Sequence, residues 1–81
     1  MTKEYRIRGY VGDYEEFAVS TNDKLKSMRK ALHYAQQYAE TGFITLMMDR
    51  KKVATVEAFE TPDGEVGFIT KFYGVYRGTE L

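Results

Sequence analysis

The chain contains no cysteine, a single proline and a single histidine. Without cysteine it forms no disulfide framework, offers no thiolate nucleophile and builds no cysteine-rich zinc site. A long hydrophobic run is also missing, because the longest apolar stretch, Phe43 to Met48, is far too short to span a bilayer. Charges within residues 3–8 interrupt any leader of the secretory type. We therefore expect a cytoplasmic protein with no signal peptide and no membrane partner.

Net charge is absent as well, since twelve Lys and Arg residues balance twelve Asp and Glu residues. With no overall field, any electrostatic function has to be local. The 81 residues suffice for one domain with a modest core and are too few for two. A hydrophobic fraction of 43% with 15% aromatics predicts a single folded domain over residues 1–81. Residues 77–81 are expected to be frayed.

Patterns that carry catalysis or metal binding are not found. His33 falls on the predicted solvent side of a helix, away from a carboxylate that could orient it as a general base. One histidine without cysteine does not make a zinc site, although a site built from oxygen ligands alone stays open. The glycines of Gly9-Tyr10-Val11-Gly12 precede a strand and not a helix, which removes a phosphate-loop interpretation. We expect no enzyme, no cofactor and no metal.

The clearest element is an amphipathic helix between Thr21 and Gly42. Thr21, Asn22 or Asp23 can cap its start, and Gly42 can end it. Its cations crowd the first two turns, where the helix dipole disfavours them. Either they mark a contact with a partner, or they are solvated charges that a well-packed helix tolerates. The apolar stripe consists of Leu25, Met28, Leu32, Ala35 and Ala39, widened by Ala31 and Tyr38.

A hairpin is predicted before the helix. Residues 5–11 alternate between apolar and polar side chains, as a half-buried strand does, and residues 15–20 form its partner. A three-residue loop from Gly12 to Tyr14 would pair Ile7 with Val19, so we prefer this loop to a two-residue one.

Three further strands are predicted after the helix. Residues 43–48 are apolar at both parities, which suits a central strand covered on both faces. Residues 53–61 and 66–76 flank a tight turn at Pro62-Asp63-Gly64. The sequence thus predicts an α+β fold of two layers, an antiparallel five-stranded sheet with one helix in the order β-β-α-β-β-β, and it leaves the order of strands in the sheet open.

One helix of this length covers only one face of a five-stranded sheet. In the last strand, however, apolar side chains point both ways, with Phe68 and Phe72 at one parity and Ile69, Tyr73 and Val75 at the other. Apolar groups on an uncovered face commonly mark an interface. This predicts a homodimer through the open sheet face or another protein partner. The alternative is a sheet that curls strongly enough to bury both parities within one chain.

Charged residues are predicted to gather at opposite ends of the domain. A strand that begins where the helix ends must run back along it, which brings residues 50–52 near the helix start and both hairpin turns near the helix end. The predicted basic end consists of Lys24, Lys26, Arg29, Lys30, Arg50, Lys51 and Lys52. The predicted acidic end consists of Asp13, Glu15, Glu40, Glu60, Asp63 and Glu65.

Seven tyrosines and five phenylalanines are a heavy aromatic load for this length. Tyrosine suits binding surfaces because it is a large amphipathic anchor with little rotamer entropy to lose. Strand parity and the helix stripe assign to the core Tyr5, Phe17, Tyr38, Phe43, Phe59, Phe68 and Phe72. The candidates for exposed contacts are Tyr10, Tyr34, Tyr73 and Tyr76, unless they merely cap the edge of the core.

These patterns favour a small non-enzymatic binding protein that regulates or inhibits a macromolecular partner through surface contacts. An origin in a phage or mobile element is a hypothesis about provenance only. The alternative is a nucleic-acid-binding protein whose basic end holds phosphates while nearby tyrosines stack on bases. The chain carries no recognised nucleic-acid-binding motif that would decide between the two.

Overall fold

The structure is a computed structural model that describes residues 3–39 and 42–81 of the chain. Within these residues, no helix combines the length and the apolar character that a membrane crossing requires. The elements are β1 Tyr5–Val11, β2 Tyr14–Thr21, α1 Lys24–Ala39, β3 Phe43–Met48, β4 Lys51–Glu60, β5 Val66–Phe72 and a 3₁₀-helix at Gly74–Tyr76.

The five strands form one antiparallel sheet in the order β2-β1-β3-β4-β5, and α1 packs on one face of it. The predicted two-layer α+β architecture is confirmed, and the strand order that the sequence left open is now defined. β3 is central, between β1 and β4, as its apolar character at both parities indicated. The prediction that both of its faces are covered is wrong, because α1 covers one face only and Phe43 on the other is 52% exposed.

Asp23 caps the start of α1. Its Oδ1 accepts a hydrogen bond from the Lys26 amide at 2.9 Å, which satisfies one of the amides that a helix start leaves without a partner. One turn later the buried hydroxyl of Ser27 donates to the Tyr5 carbonyl at 2.7 Å and lies 2.6 Å from the Thr21 hydroxyl. These bonds fix the helix start against β1 and the end of β2.

α1 approaches the sheet closely because its buried row is made of small side chains. Two residues predicted for the buried stripe lie elsewhere, since Leu25 is 39% exposed and Tyr38 is 46% exposed. The row that is buried follows the i, i+4 spacing and keeps the predicted alanines, but it begins at Ser27, which the prediction did not include. Its members are Ser27, Ala31, Ala35 and Ala39, with Met28 beside them. They pack over a core that includes Ile7, Ile44, Leu46 and Val56.

β1 and β2 pair in the predicted register, although the predicted three-residue loop is wrong. The pairs include Ile7 with Val19 and Gly9 with Phe17. The turn has only two residues, Gly12-Asp13, because Val11 pairs directly with Tyr14. A bulge in the next part of the ladder gives β2 one extra residue, Glu16, and this restores the register.

Tyr76 is a core residue, which corrects its prediction as an exposed contact. Its side chain is fully buried, and its hydroxyl donates to the Lys24 carbonyl at 2.8 Å. The last strand ends at Phe72, earlier than predicted, because Gly74 takes a φ of 60° and turns the chain into the 3₁₀-helix. The Tyr76 ring therefore closes the core beside the start of α1.

Burial of Tyr76, with smaller contributions from Tyr5 and Asp23, raises the pKa of its phenol from 10.0 to about 12. The folded protein then holds this proton more tightly than the unfolded chain does. The resulting stabilisation is complete below pH 10 and is lost as the pH rises from 10 through 12. We expect the urea midpoint to fall over this interval, and to fall less in Tyr76→Phe, which has no phenol to ionise. Equal falls in the two proteins would contradict this assignment.

Candidate functional site

The face of the sheet opposite α1 is not covered by any other element among the described residues, because the 3₁₀-helix packs on the helix side through Tyr76. Phe43 and Ile69 are 52% and 47% exposed there, so the sheet does not curl to bury this face. We term this surface the open face. Its side chains come from alternate positions of the strands and include Arg6, Arg8, Tyr10, Glu15, Phe43, Thr45, Met47, Lys52, Thr55, Glu57, Phe59, Ile69, Lys71 and Tyr73.

A cavity of about 470 Å³ lies on the β1–β3 part of the open face. Arg8 lies directly opposite Met47 in the ladder, and Arg6 precedes it by two residues on the same side of β1. Sequence reasoning predicted Tyr10 and Arg50 as contacts but missed Arg6 and Arg8, although the alternation that assigned Ile7 to the core also directs these two arginines to the other face. We term it the arginine cavity; its lining residues are Arg6, Arg8, Tyr10, Met47, Asp49 and Arg50.

Two of these arginines hold carboxylates through single contacts. Nε of Arg6 lies 3.4 Å from Glu4, and Nη1 of Arg8 lies 3.3 Å from Glu15. The Tyr10 hydroxyl donates to the same Glu15 carboxylate at 3.4 Å. Neither contact uses the two-pronged geometry that makes arginine–carboxylate pairs strong, and all four charged side chains are about half exposed. The guanidinium groups therefore retain unused donors on the open face.

Arg50 stands in an unfavourable backbone conformation. The β3–β4 turn consists of Asp49 and Arg50, with φ angles of 53° and 66°. A two-residue turn with both φ angles positive is the type I′ hairpin turn, whose second position strongly favours glycine. Aspartate tolerates this region, whereas arginine is strained by its Cβ. The fold thus carries an arginine where glycine would serve folding better.

We expect Arg50→Gly to stabilise the fold by about 1 kcal/mol, since it removes this strain. For a domain of this size the melting temperature should rise by about 4–8 °C, measured by circular dichroism. Arg50→Ala is the control, because alanine keeps a Cβ at the same φ. A similar rise in Arg50→Ala would show that the strain is not the cause.

A second cavity of about 300 Å³ lies on the β4–β5 part of the open face. Phe43, Glu57 and Ile69 form one row across three strands in its floor. Nζ of Lys52 lies 4.4 Å from the centroid of the Tyr73 ring. We term it the β4–β5 cavity; its lining residues are Phe43, Lys52, Thr55, Glu57, Ile69, Lys71 and Tyr73.

The residues predicted for the basic end lie at the helix start and at the β3–β4 turn. Nζ of Lys24 lies 5.3 Å from the Tyr76 ring, and the Tyr73 amide that leads into this segment bonds to the Val53 carbonyl at 2.9 Å. This segment links the helix start to the start of β4. The remaining cations, which are solvent-exposed, are Lys26, Arg29, Lys30, Arg50, Lys51 and Lys52.

The acidic end is less coherent than predicted. Asp13 is exposed in the β1–β2 turn, whereas Glu15 lies on the open face and is paired with Arg8, so it is not a free carboxylate. Glu40 lies outside the described residues. The other predicted members are exposed around the β4–β5 hairpin, namely Glu60, Asp63 and Glu65.

The predicted aromatic contacts divide between the two faces. Tyr10 and Tyr73 are half-buried on the open face. Tyr34 is 41% exposed on α1, where its ring lies 5.7 Å from that of Phe17 and 5.6 Å from that of His33. Only Tyr10 and Tyr73 therefore join the open face.

His33 is exposed and lies 3.0 Å from the Gln37 side chain, which is not a carboxylate that could orient it for catalysis. Among the described residues, no three or more His, Cys, Asp or Glu side chains are grouped to hold a metal ion. Comparison of the chain with protein-family models, curated proteins and solved structures gives no match.

Proposed function

We propose that this chain is a small non-enzymatic binding protein that regulates or inhibits a protein partner, and that it docks through the open face. The observation that carries the proposal is the composition of an uncovered sheet surface. Arginine, tyrosine, methionine and phenylalanine are the residue types enriched at the centres of protein interfaces, and all four occur there.

The dimensions of the domain fit this role. The principal extents are 49 × 27 × 17 Å, so the sheet presents a broad surface for a chain of 81 residues. A stable protein interface needs roughly 800 Å² from each partner. A face formed by five strands can supply this area, whereas either hairpin turn alone cannot.

Capture from a lysate of the source cell, quantified by mass spectrometry, tests the proposal with two matched variants. Ile69 and Val66 are exposed aliphatic residues of β5, 47% and 50% exposed, each opposite a glutamate of β4. They lie on opposite faces, since their positions differ in parity. We expect Ile69→Gln to lose a protein that wild type and Val66→Gln both retain. Equal capture by all three proteins, or loss only in Val66→Gln, would overturn the proposal.

Light scattering on the same variants identifies one special case, in which the partner is a second copy of the chain. In that case we expect the mass of a dimer for wild type and Val66→Gln, and the mass of a monomer for Ile69→Gln. A monomer at high concentration in all three would exclude self-association through the open face and leave a different protein as the partner.

Nucleic acid is the second candidate partner, favoured by the exposed cations at the helix start and at the β3–β4 turn, which the segment from Tyr73 to Tyr76 links. Lys24 and Lys52 already cover tyrosine rings, which leaves less aromatic surface for bases to stack on. Binding to mixed-sequence DNA or RNA should then weaken steeply with salt and fall on reversal of Lys51 and Lys52 to glutamate. Absence of binding at low salt would exclude this candidate.

A further inference from the structure

We propose that the arginine cavity binds an extended acidic segment of the partner protein, with side-chain carboxylates held by Arg6, Arg8 and Arg50. The inference rests on the proposed function and specifies the chemistry of the partner at one part of the open face.

The donors are available and suited to carboxylates. Glu4 occupies only Nε of Arg6, which leaves its terminal nitrogens, and Glu15 contacts only Nη1 of Arg8. Among the described residues, no carboxylate lies within salt-bridge distance of Arg50. A guanidinium presents a planar fork that matches a carboxylate with two parallel hydrogen bonds. Arg6 and Arg8 can therefore accept stronger partners than the ones they hold, and Arg50 can accept a carboxylate without giving one up.

The spacing of the donors points to an extended segment. Arg6 and Arg8 are separated by one residue in β1, so their Cα atoms are about 7 Å apart along the strand. Alternate side chains of an extended peptide have the same repeat. Tyr10 and Met47 line the same cavity and offer apolar surface to the aliphatic parts of the bound segment.

The surrounding charges favour a protein over a nucleic acid. Three carboxylates accompany the three arginines, because Glu4 and Glu15 contact two of them and Asp49 lines the cavity. A phosphate backbone carries a charge on every nucleotide and needs a continuous cationic track, which the three carboxylates interrupt. An acidic side chain of a peptide can bind to a single arginine, which then releases or shares the glutamate that it contacts.

The backbone of the β3–β4 turn independently supports Arg50 as a ligand contact. Arg50 lines the cavity at a position where glycine would relieve the backbone, with φ at 66°. An arginine side chain at this φ therefore lowers the stability of the fold, and a contact with a ligand would compensate for that loss. Arg50→Gly separates the two roles, because it should strengthen folding and weaken binding in the same protein.

The test is a titration of the whole protein with a capped peptide of alternating glutamate and threonine, followed by amide chemical shifts in NMR. At low salt we expect saturable shifts confined to residues 5–10 and 47–51. Arg8→Ala and Arg50→Gly should each weaken the peptide about tenfold, as loss of a charged hydrogen bond does. Arg29→Ala, which removes the same charge from the exposed surface of α1, should leave the affinity unchanged.

Three results would overturn the inference. The first is the absence of shifts at residues 5–10 and 47–51 with the peptide, and the second is an equal loss of affinity in Arg29→Ala. The third is tighter binding at this site by an oligothymidylate of equal charge, which would make the ligand a nucleic acid. None of these results bears on the β4–β5 cavity, so partner loss in Ile69→Gln would still uphold the proposed function.

Discussion

Tyr76→Ala should lower the free energy of unfolding by about 3–5 kcal/mol, the usual cost of removing a large buried aromatic side chain. Tyr76 is fully buried and joins the 3₁₀-helix to the start of α1 through its hydrogen bond to the Lys24 carbonyl. A domain of this size has a total stability of only about 5–15 kcal/mol. The melting temperature should therefore fall by at least about 15 °C in thermal unfolding followed by circular dichroism.

Tyr76→Phe separates the contribution of the Tyr76 ring to stability from that of its hydroxyl. It keeps the packing and the contact with the Lys24 ammonium, and it removes only the hydrogen bond, so it should cost about 0.5–1.5 kcal/mol. If the alanine variant were no less stable than the phenylalanine variant, the ring would not close the core, and the assignment of the 3₁₀-helix to the fold would be wrong.

Gly9→Ala should destabilise the protein by about 1–3 kcal/mol, whereas Gly67→Ala should change its stability by no more than about 0.5 kcal/mol. At both positions a Cβ would lie within 3.0 Å of a cross-strand aromatic ring, that of Phe17 or Phe59. The difference lies in the freedom of the ring to move away, since the Phe59 side chain is 41% exposed and can turn into solvent.

Phe17 has no such freedom, because its ring also lies 5.7 Å and 5.6 Å from the rings of Tyr34 and Tyr38 on α1. Urea unfolding of the two variants beside wild type measures the contrast directly. Equal losses of stability in Gly9→Ala and Gly67→Ala would mean that the freedom of the facing phenylalanine ring to move does not determine the cost of the added Cβ.

Local patterns predicted the elements of this fold well, since the helix and the first four strands follow from periodicity and turn residues close to their observed bounds, and only the end of β5 was misplaced. The register of β1 and β2 was predicted correctly from the apolar pairing of Ile7 with Val19. The structural basis of this register, a two-residue turn followed by a bulge at Glu16, was not predicted. Such a bulge depends on tertiary packing that no local pattern specifies. Apolar pairing was a better guide than loop length.

The position of Tyr76 could not be read from strand parity. Parity holds only while the chain remains extended, and Gly74 ends the strand with a positive φ. Phe43 and Phe59 were misassigned to the core for a related reason, because their parity fixes a face of the sheet but not which face the helix covers. They lie on the open face and are 52% and 41% exposed.

The sequence predicted that one face of the sheet is uncovered, but it did not predict which cations lie on that face. An uncovered sheet face was expected from one helix over five strands, but the candidate cations were predicted at the helix start and at residues 50–52, of which only Arg50 lines the arginine cavity. The arginine cavity instead arises from Arg6 and Arg8, whose outward direction follows from strand alternation, and from the β3–β4 turn. The juxtaposition of β1 with β3 required the strand order, which the sequence did not supply.

The central claim is that the partner docks on the open face, and methyl NMR of the protein titrated with the captured partner tests it most directly. Methyl groups report on one face of a sheet, as backbone amides do not. We expect the methyl signals of Met47 and Ile69 on the open face to shift or broaden, while those of Val66 and Leu25 stay unchanged. Shifts at Val66 and Leu25 with none at Met47 and Ile69 would place the partner on the helix side and contradict the claim.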